Sequence, residues 1–397
     1  MDFSALVAPL SAHEFITDVL GCRAQVLRGS PDRFASLLPW WELNNILRFH
    51  RFEEGQLRIA RNGVRIDPDT YNPETLTYPE RSQLMRHRKL DGVSVQQHLR
   101  EGATLQIFGI DELYEPVARL SAVIEAKIRE RVYVHAFVSW GSTQGYKTHW
   151  DDSDGIIVQV HGRKKWHLWE PTRVRPDHRD YGEIPPPHGP PQEFVVRAGD
   201  VMHVPKGWWH LVTPDDEASV HLAFSLTART GHDFLTWALD EFRKDTELCR
   251  ADLPLRDSQD IVHNRHAGDL REALSNYLTS PGLIPLFLRS YDAAQPARRG
   301  FSLHPATDRD PLASDAAIVT WLAPLADIES TSTWTGITAA GQRHDFGPHA
   351  QALVAVLRDC QPRSMIELRR LANVPVADTR EVVRQFVIAG LAAIPVI

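Results

Sequence analysis

A histidine and an aspartate two residues apart, His149 and Asp151, are the pair in this chain best suited to grip a metal ion. They open the stretch "THWDDSDGIIVQVHGRKKWHLWEP", Thr148–Pro171, whose later half alternates as a β-strand does. In an extended segment, residues i and i+2 project to the same side. The imidazole and the carboxylate can therefore face one cation while Trp150 turns away. A third ligand must come from elsewhere, and "AGDVMHVPKGWWHLVTP" offers it. Gly199 and Asp200 make a tight turn, "VMHVP" reads as a strand, and "KGWWH" carries His210 to the start of the next. Two imidazoles and one carboxylate form a facial triad that leaves positions open on Fe(II) for O₂ and a chelating co-substrate. Zinc more often takes a tetrahedral set richer in His and Cys. A His-x-Asp pair alone arises by chance in many chains. The second segment, about sixty residues on and within one β-rich block, gives it weight. The competing reading makes His203, His210 and His221 core or capping histidines of a sandwich. His161, His167, His178 and His203 lie outside the ligand pattern and read as structural or surface residues.

Ligands held this way need a stiff β framework, and the chain supplies one from residue 132. "VYVHAFVSW", "DGIIVQVHG", "KKWHLWEP", "QEFVVRAGDVMHVPKG" and "ASVHLAFSLTA" are short, β-branched or aromatic, and punctuated by turn residues, as in a sandwich or barrel. Before it, Ser11 and Glu14 predict a capping box. Asn62-Gly63 predicts a hairpin over 57–66. "SVQQHLREG" and "DELYEPVARLSAVIEAKIRERV" read as helices. The loops "DTYNPETLTYPERSQLMRHRK" and "RDYGEIPPPHGPPQEF" are long and irregular, as lids often are.

After Thr227 the pattern turns helical. Phe234, Leu235, Ala238, Leu239 and Phe242 are expected on one face, and Leu270, Leu274, Tyr277 and Leu278 repeat the trend. Near the end, Ser364 with Glu367 and Asp378 with Glu381 predict two capping boxes. Val382, Val383, Phe386 and Val387 form a stripe, Gly390 ends that helix, and "LAAIPVI" reads as a strand. Three helices and a strand in this order resemble a winged-helix module.

The core "HWDDSDGIIVQVHGRKKWHLW" followed by "GDVMHVPKGWWHLVTP" resembles the JmjC/cupin family of Fe(II)- and 2-oxoglutarate-dependent oxygenases, and within it the ribosomal oxygenase branch. That branch includes a bacterial arginyl hydroxylase and human histidyl hydroxylases. The resemblance implies an α+β fold: a double-stranded β-helix (jelly-roll) core with flanking helices, a helical dimerisation segment and a C-terminal winged helix. The implied boundaries are 1–228, with the β core at about 132–228, then 229–310 and 311–397. It assigns the iron ligands to His149, Asp151 and His210. It assigns the cation for the co-substrate's distal carboxylate to Lys164, fifteen residues after the first histidine. Arg163 and Lys165 should then point to the other side. The matching hydroxyl is Ser225. Asp154 and Gln159 also match the branch pattern, with Asp154 orienting the site or meeting substrate. A plain hairpin charge is the competing reading of Lys164. The branch begins its first core strand with an Asn and a Tyr near the co-substrate. Here His135 and Phe137 occupy those places, so a hydroxyl is lost and transfer of a particular substrate is weakened.

The 397 residues carry 43% hydrophobic and 24% charged side chains, ordinary for a folded, soluble chain. The net charge of −7 argues against coating nucleic acid and suits a basic partner. The candidate recognition helix, Asp378–Ala389, balances Asp378 and Glu381 against Arg380 and Arg384, so DNA binding is not expected. No run reaches the roughly 20 apolar residues of a membrane span, and the N-terminus lacks signal-peptide features. Cys22, Cys249 and Cys360 fit a reducing cytoplasm. The expected reaction is side-chain hydroxylation of Arg or His in a protein or peptide, such as a ribosomal protein, with Fe(II), 2-oxoglutarate and O₂, by a homodimer. The competing readings are a hydroxylase of small biosynthetic peptides, a histone-type demethylase, a cupin-type DNA-binding regulator and a metal-free scaffold.

Overall fold

The computed structural model describes residues 1–80, 83–256, 259–302 and 311–394. The N-terminal part and core contain strands β1 (Gln25–Leu27), β2 (Leu57–Arg61), β3 (Val64–Arg65), β4 (Glu74–Glu80), β5 (Gln83–Arg88), β6 (Thr104–Phe108) and β7 (Val132–Ser139). They continue with β8 (Asp154–His161), β9 (Arg163–Trp169), β10 (Gln192–Arg197), β11 (Val201–Val204), β12 (Trp209–Pro214) and β13 (Ser219–Leu226). One sheet has the order β1-β11-β8-β13-β7-β6-β2-β3, and a smaller one has the order β10-β9-β12. Consecutive strands cross from one sheet to the other at β8–β9, β10–β11, β11–β12 and β12–β13, which is the jelly-roll arrangement.

Alternation along the strands divides two environments. On β7, Val132, Val134, Ala136 and Val138 are buried in the main core. That core includes Val117, Leu120, Val123 and Ile124 of the helix Glu115–Ile128. Tyr133, His135, Phe137 and Ser139 face the other way, into a cavity between the sheets. β13 repeats the division, with Val220, Leu222, Phe224 and Leu226 in the core and His221, Ala223 and Ser225 toward the cavity. A second cluster of Ile157, Trp166, Leu168, Val196, Met202 and Val204 joins the two sheets.

The 57–66 hairpin and the Ser11–Glu14 and Ser364–Glu367 capping boxes form as expected. Other expectations need correction. Much of 69–89 folds as the β4–β5 hairpin rather than an irregular lid, because the register pairs Thr75 with His87 and Thr77 with Met85. On the helix Gly231–Asp245, Leu235 and Leu239 stay 46% and 47% exposed. Trp237 turns inward instead, 5.5 Å from the ring of Phe287 on the helix Leu283–Ala294.

The C-terminal part adds β14 (Ile318–Trp321), β15 (Asp327–Ser330), β16 (Thr335–Ala339), β17 (Gln342–Phe346), β18 (Arg363–Ser364) and β19 (Ala392–Ala393). The sheet β18-β14-β19 accompanies helices Ala350–Leu357, Met365–Ala372 and Val376–Ile388. The Asp378–Glu381 capping box is absent: Pro375 starts that helix and leaves Asp378 in its first turn, 3.5 Å from His349. The strand expected over 391–397 is only Ala392–Ala393, and residues 395–397 lie outside the described residues.

Arg298 fastens this part to the core. Its guanidinium donates to both oxygens of Glu125 (2.7 and 2.8 Å), to Asp111 (2.8 Å) and to the Val132 carbonyl. Glu125 and Asp111 in turn accept the amides of Val132 and Val134, so the network braces β7 where it enters the barrel. All three charged groups are buried. Arg298→Ala would leave the buried Asp111 without its cation and Glu125 with only Arg131 at 3.5 Å, and urea denaturation should show a loss of about 3–5 kcal/mol.

Candidate metal centre and its cavity

His149 and His210 meet as an isolated antiparallel bridge, with amide-to-carbonyl bonds of 3.1 and 2.7 Å. The bridge ties the segment before β8 to the first residues of β12. The Asp151 carbonyl accepts the Gly207 amide at 2.9 Å, which fixes the loop that delivers His210. Gly207 has φ +80°, and a Cβ there would lie 2.5 Å from the Pro176 ring. That turn therefore requires glycine.

The three side chains converge as their spacing predicts. Asp151 lies 3.6 Å from His210 Nε2 and 4.0 Å from His149 Nε2, and one ligand atom from each falls within 4.8 Å of the others. Nδ1 of His149 donates to the Lys147 carbonyl (2.8 Å) and Nδ1 of His210 to the Trp208 carbonyl (3.1 Å). A carbonyl can only accept, so both rings carry their proton on Nδ1 and turn the Nε2 lone pair toward Asp151. Burial, reinforced by the neighbouring His149, pushes the His210 pKa down to about 4, leaving it neutral and able to ligate. The His149 and Asp151 side chains remain 44% and 58% exposed, so the centre is open on one side.

That side is a cavity of about 920 Å³. Inside it stands Lys164, 2% exposed, whose ammonium donates to the Phe137 carbonyl at 3.4 Å. Burial lowers its pKa to about 7. Its neighbours Arg163 and Lys165 point outward, as alternation requires, and both hold Asp215 at 2.6 Å. A buried ammonium facing a cavity without a carboxylate partner is costly unless an anion enters. An open site of two imidazoles and one carboxylate at one end and this cation at the other fit Fe(II) and a 2-oxo diacid such as 2-oxoglutarate.

The remaining sequence candidates divide. His135 and Phe137 line the cavity, and burial lowers the pKa of His135, whose Nδ1 has no partner. Ser225 lines it too, but the ladder pairs it with Tyr133 and Gly155. Phe137, which Lys164 touches, pairs with His221. Four residues of strand, about 13 Å, separate the two levels, so the structure does not bring Ser225 to Lys164. Asp154 and Gln159 do not line the cavity. Asp154 accepts the Lys206 amide at 3.0 Å, which steadies the loop toward His210. The Gln159 amide donates to the carbonyls of His161 and Val220. His203 is structural, bonded to the Gly155 carbonyl and the Gly21 amide.

Sequence reasoning missed three contributors. His221 is aimed inward by its i, i+2 relation to Ala223 and Ser225, a signal the sequence carried. Tyr146 donates to Gln106 at 2.6 Å, with its ring 6.3 Å from those of Phe137 and His149; it lies in a loop with no periodic signal. Tyr181 stacks on Trp150 at 4.4 Å and accepts the Asp152 amide. With Tyr181, the loop 179–194 reaches the cavity rim, whereas 69–89 does not line it.

Comparison with known proteins agrees with this geometry. A family model for the JmjC domain matches residues 111–234. A "Bifunctional lysine-specific demethylase and histidyl-hydroxylase NO66" from Drosophila erecta is 25% identical over 236 residues, 56% of this chain and 33% of the relative. The Dictyostelium discoideum protein of that name is 24% identical over 288 residues, 68% of this chain and 52% of the relative. The chain thus spans about a third to a half of these relatives. The Escherichia coli ribosomal oxygenase YcfD, solved with cobalt and 2-oxoglutarate, shares the fold over 97% of this chain and 98% of that one. Its TM-score is 0.56 at 15% identity. YcfD with cobalt and succinic acid gives a TM-score of 0.59. Residues 111–234 thus match a JmjC domain, and the chain shares its fold with the ribosomal oxygenase YcfD.

Proposed function

We propose that this chain is an Fe(II)- and 2-oxoglutarate-dependent hydroxylase acting on an amino-acid side chain, Arg or His first, of a protein or peptide. One observation carries the reading: His149, Asp151 and His210 share a cavity with a buried lysine that has no carboxylate partner among the described residues. When bound, the iron with 2-oxoglutarate and O₂ supplies an oxidant that converts C–H to C–OH and releases succinate and CO₂. The protein's part is to hold and position. His149, Asp151 and His210 would hold the metal from one side. Lys164 would neutralise the distal carboxylate, and Phe137 and Tyr146 wall the space between. The Trp150–Tyr181 stack would cover the rim.

The ribosomal proteins are the first substrate class to test, since NO66 is named a histidyl-hydroxylase and YcfD a ribosomal oxygenase. The stretch 229–310 would serve as a homodimerisation segment: Leu235, Ile261, Ile284 and Leu286 leave 46–72% of their surface exposed on its helices. The part from 311 would be a winged-helix-like module for docking rather than DNA, because Arg380 is held by the Ala313 carbonyl. Among the described residues no helix is long and apolar enough to cross a membrane.

The test is mass spectrometry of ribosomal proteins and basic peptides incubated with the protein, Fe(II) and 2-oxoglutarate. A +16 Da shift on one Arg or His, absent with Asp151→Ala, is expected. Loss of a methyl group from lysine would instead assign demethylation.

A further inference from the structure

We infer that His221 is the second group that binds the distal carboxylate of the co-substrate, beside Lys164. The inference rests on the Fe(II)/2-oxoglutarate reading above and names a residue of this chain that completes its anion pocket.

His221 is 4% exposed on the inward face of β13, and its Nδ1 has no hydrogen-bond partner. Burying a polar ring nitrogen without a partner is costly, so such an orphan needs a reason. Its surroundings supply one. The imidazole lies flat against Phe137, with centroids 4.7 Å apart and planes 19° from parallel. The Trp166 ring stands 5.5 Å away at 57°. Two aromatic neighbours thus hold the ring in one orientation. The Phe137 carbonyl is the one that Lys164 touches, and Phe137 pairs with His221 across the β7–β13 ladder. Lysine and imidazole therefore sit at the same depth in the barrel.

The groups facing His221 are Lys164, His210, Phe137 and Trp166, and none is an acid. A neutral imidazole offers one N–H without adding a second buried charge. A carboxylate entering this corner has two oxygens: one meets the ammonium and the other the imidazole N–H. The Phe137 ring, on the neighbouring strand of the same sheet, serves as the plate on which His221 is stacked.

The test is calorimetric titration of the Mn(II)-loaded full chain with two probes. 2-Oxoglutarate carries the distal carboxylate, and pyruvate chelates the metal but lacks it. His221→Leu should weaken 2-oxoglutarate binding about 10- to 100-fold, the value of a hydrogen bond to a charged group, and leave pyruvate binding within about twofold. His221→Asn, which keeps an N–H near the Nδ1 position, should recover most of the loss. Should the leucine variant not fold, His221→Phe keeps the ring stack and removes the N–H. Unchanged 2-oxoglutarate affinity in these variants, or equal loss of both probes, overturns the role of His221 while the proposed function stands. Failure of the wild-type protein to bind either probe overturns both.

Discussion

Asp151→Ala abolishes metal binding and leaves the fold intact. Asp151 is the one anionic member of the proposed ligand set, and its side chain is 58% exposed. Its loss removes little packing, and stability should stay within about 0.5 kcal/mol of wild type. Metal affinity behaves differently. Loss of a group that merely supports a ligand costs roughly 10- to 100-fold, so loss of the carboxylate itself should cost at least about 1,000-fold. Equilibrium dialysis with Mn(II) or anaerobic Fe(II) measures this, with thermal unfolding as the control. The two histidines make the contrast. His210→Ala also loses the metal, but it removes a buried ring that lies 5.9 Å from Trp166, so it should be destabilised as well.

Lys164→Met trades function for stability. The ammonium is buried without a counter-charge, and desolvation drops its pKa from 10.5 to about 7. The sign follows from proton uptake. Below pH 7 both folded and unfolded chains hold the proton, and the folded protein bears the full cost of a buried charge. Between pH 7 and 10.5 only the unfolded chain holds it, so wild-type stability rises with pH across that window. Methionine, of similar length, carries no such cost. The variant should therefore exceed wild type by about 1–4 kcal/mol at pH 6, and the gap should close toward pH 10. The same change removes the cation that receives the distal carboxylate. 2-Oxoglutarate affinity should fall about 100- to 1,000-fold while Mn(II) affinity stays the same. Urea denaturation at pH 6 and pH 9, with calorimetry of metal and diacid, separates the two effects.

The metal triad was legible because its information is local. Two ligands lie at strand spacing, and the third follows a glycine turn in the same β-rich block. The outward turn of Arg163 and Lys165 around Lys164 was legible for the same reason: period two decides the side. Depth along the barrel was not legible. Sequence could put Ser225 on the inner face of β13, but only the ladder shows that Tyr133 and Gly155, not Phe137, stand beside it. His221 lies on that same face, and only its ladder pairing with Phe137 sets it at the depth of Lys164. The helix faces failed differently. Leu235 and Leu239 fit an apolar stripe as well as Trp237 does, and tertiary packing against Phe287 decides between them. Asp378 and Glu381 have capping-box spacing, but Pro375, with its fixed φ, starts the helix three residues earlier. The β15–β16–β17 sheet carried no signal strong enough to be read beforehand.

The most direct test of the account is to count succinate. Folded, anaerobically prepared protein loaded with one Fe(II) is mixed with 2-oxoglutarate and then O₂. Succinate should form in a one-to-one ratio with the 2-oxoglutarate consumed, require the iron, and disappear in both Asp151→Ala and Lys164→Met. Iron-loaded wild-type protein that neither binds nor consumes 2-oxoglutarate, or an Asp151→Ala variant that turns it over at the wild-type rate, would contradict the assignment of this cavity.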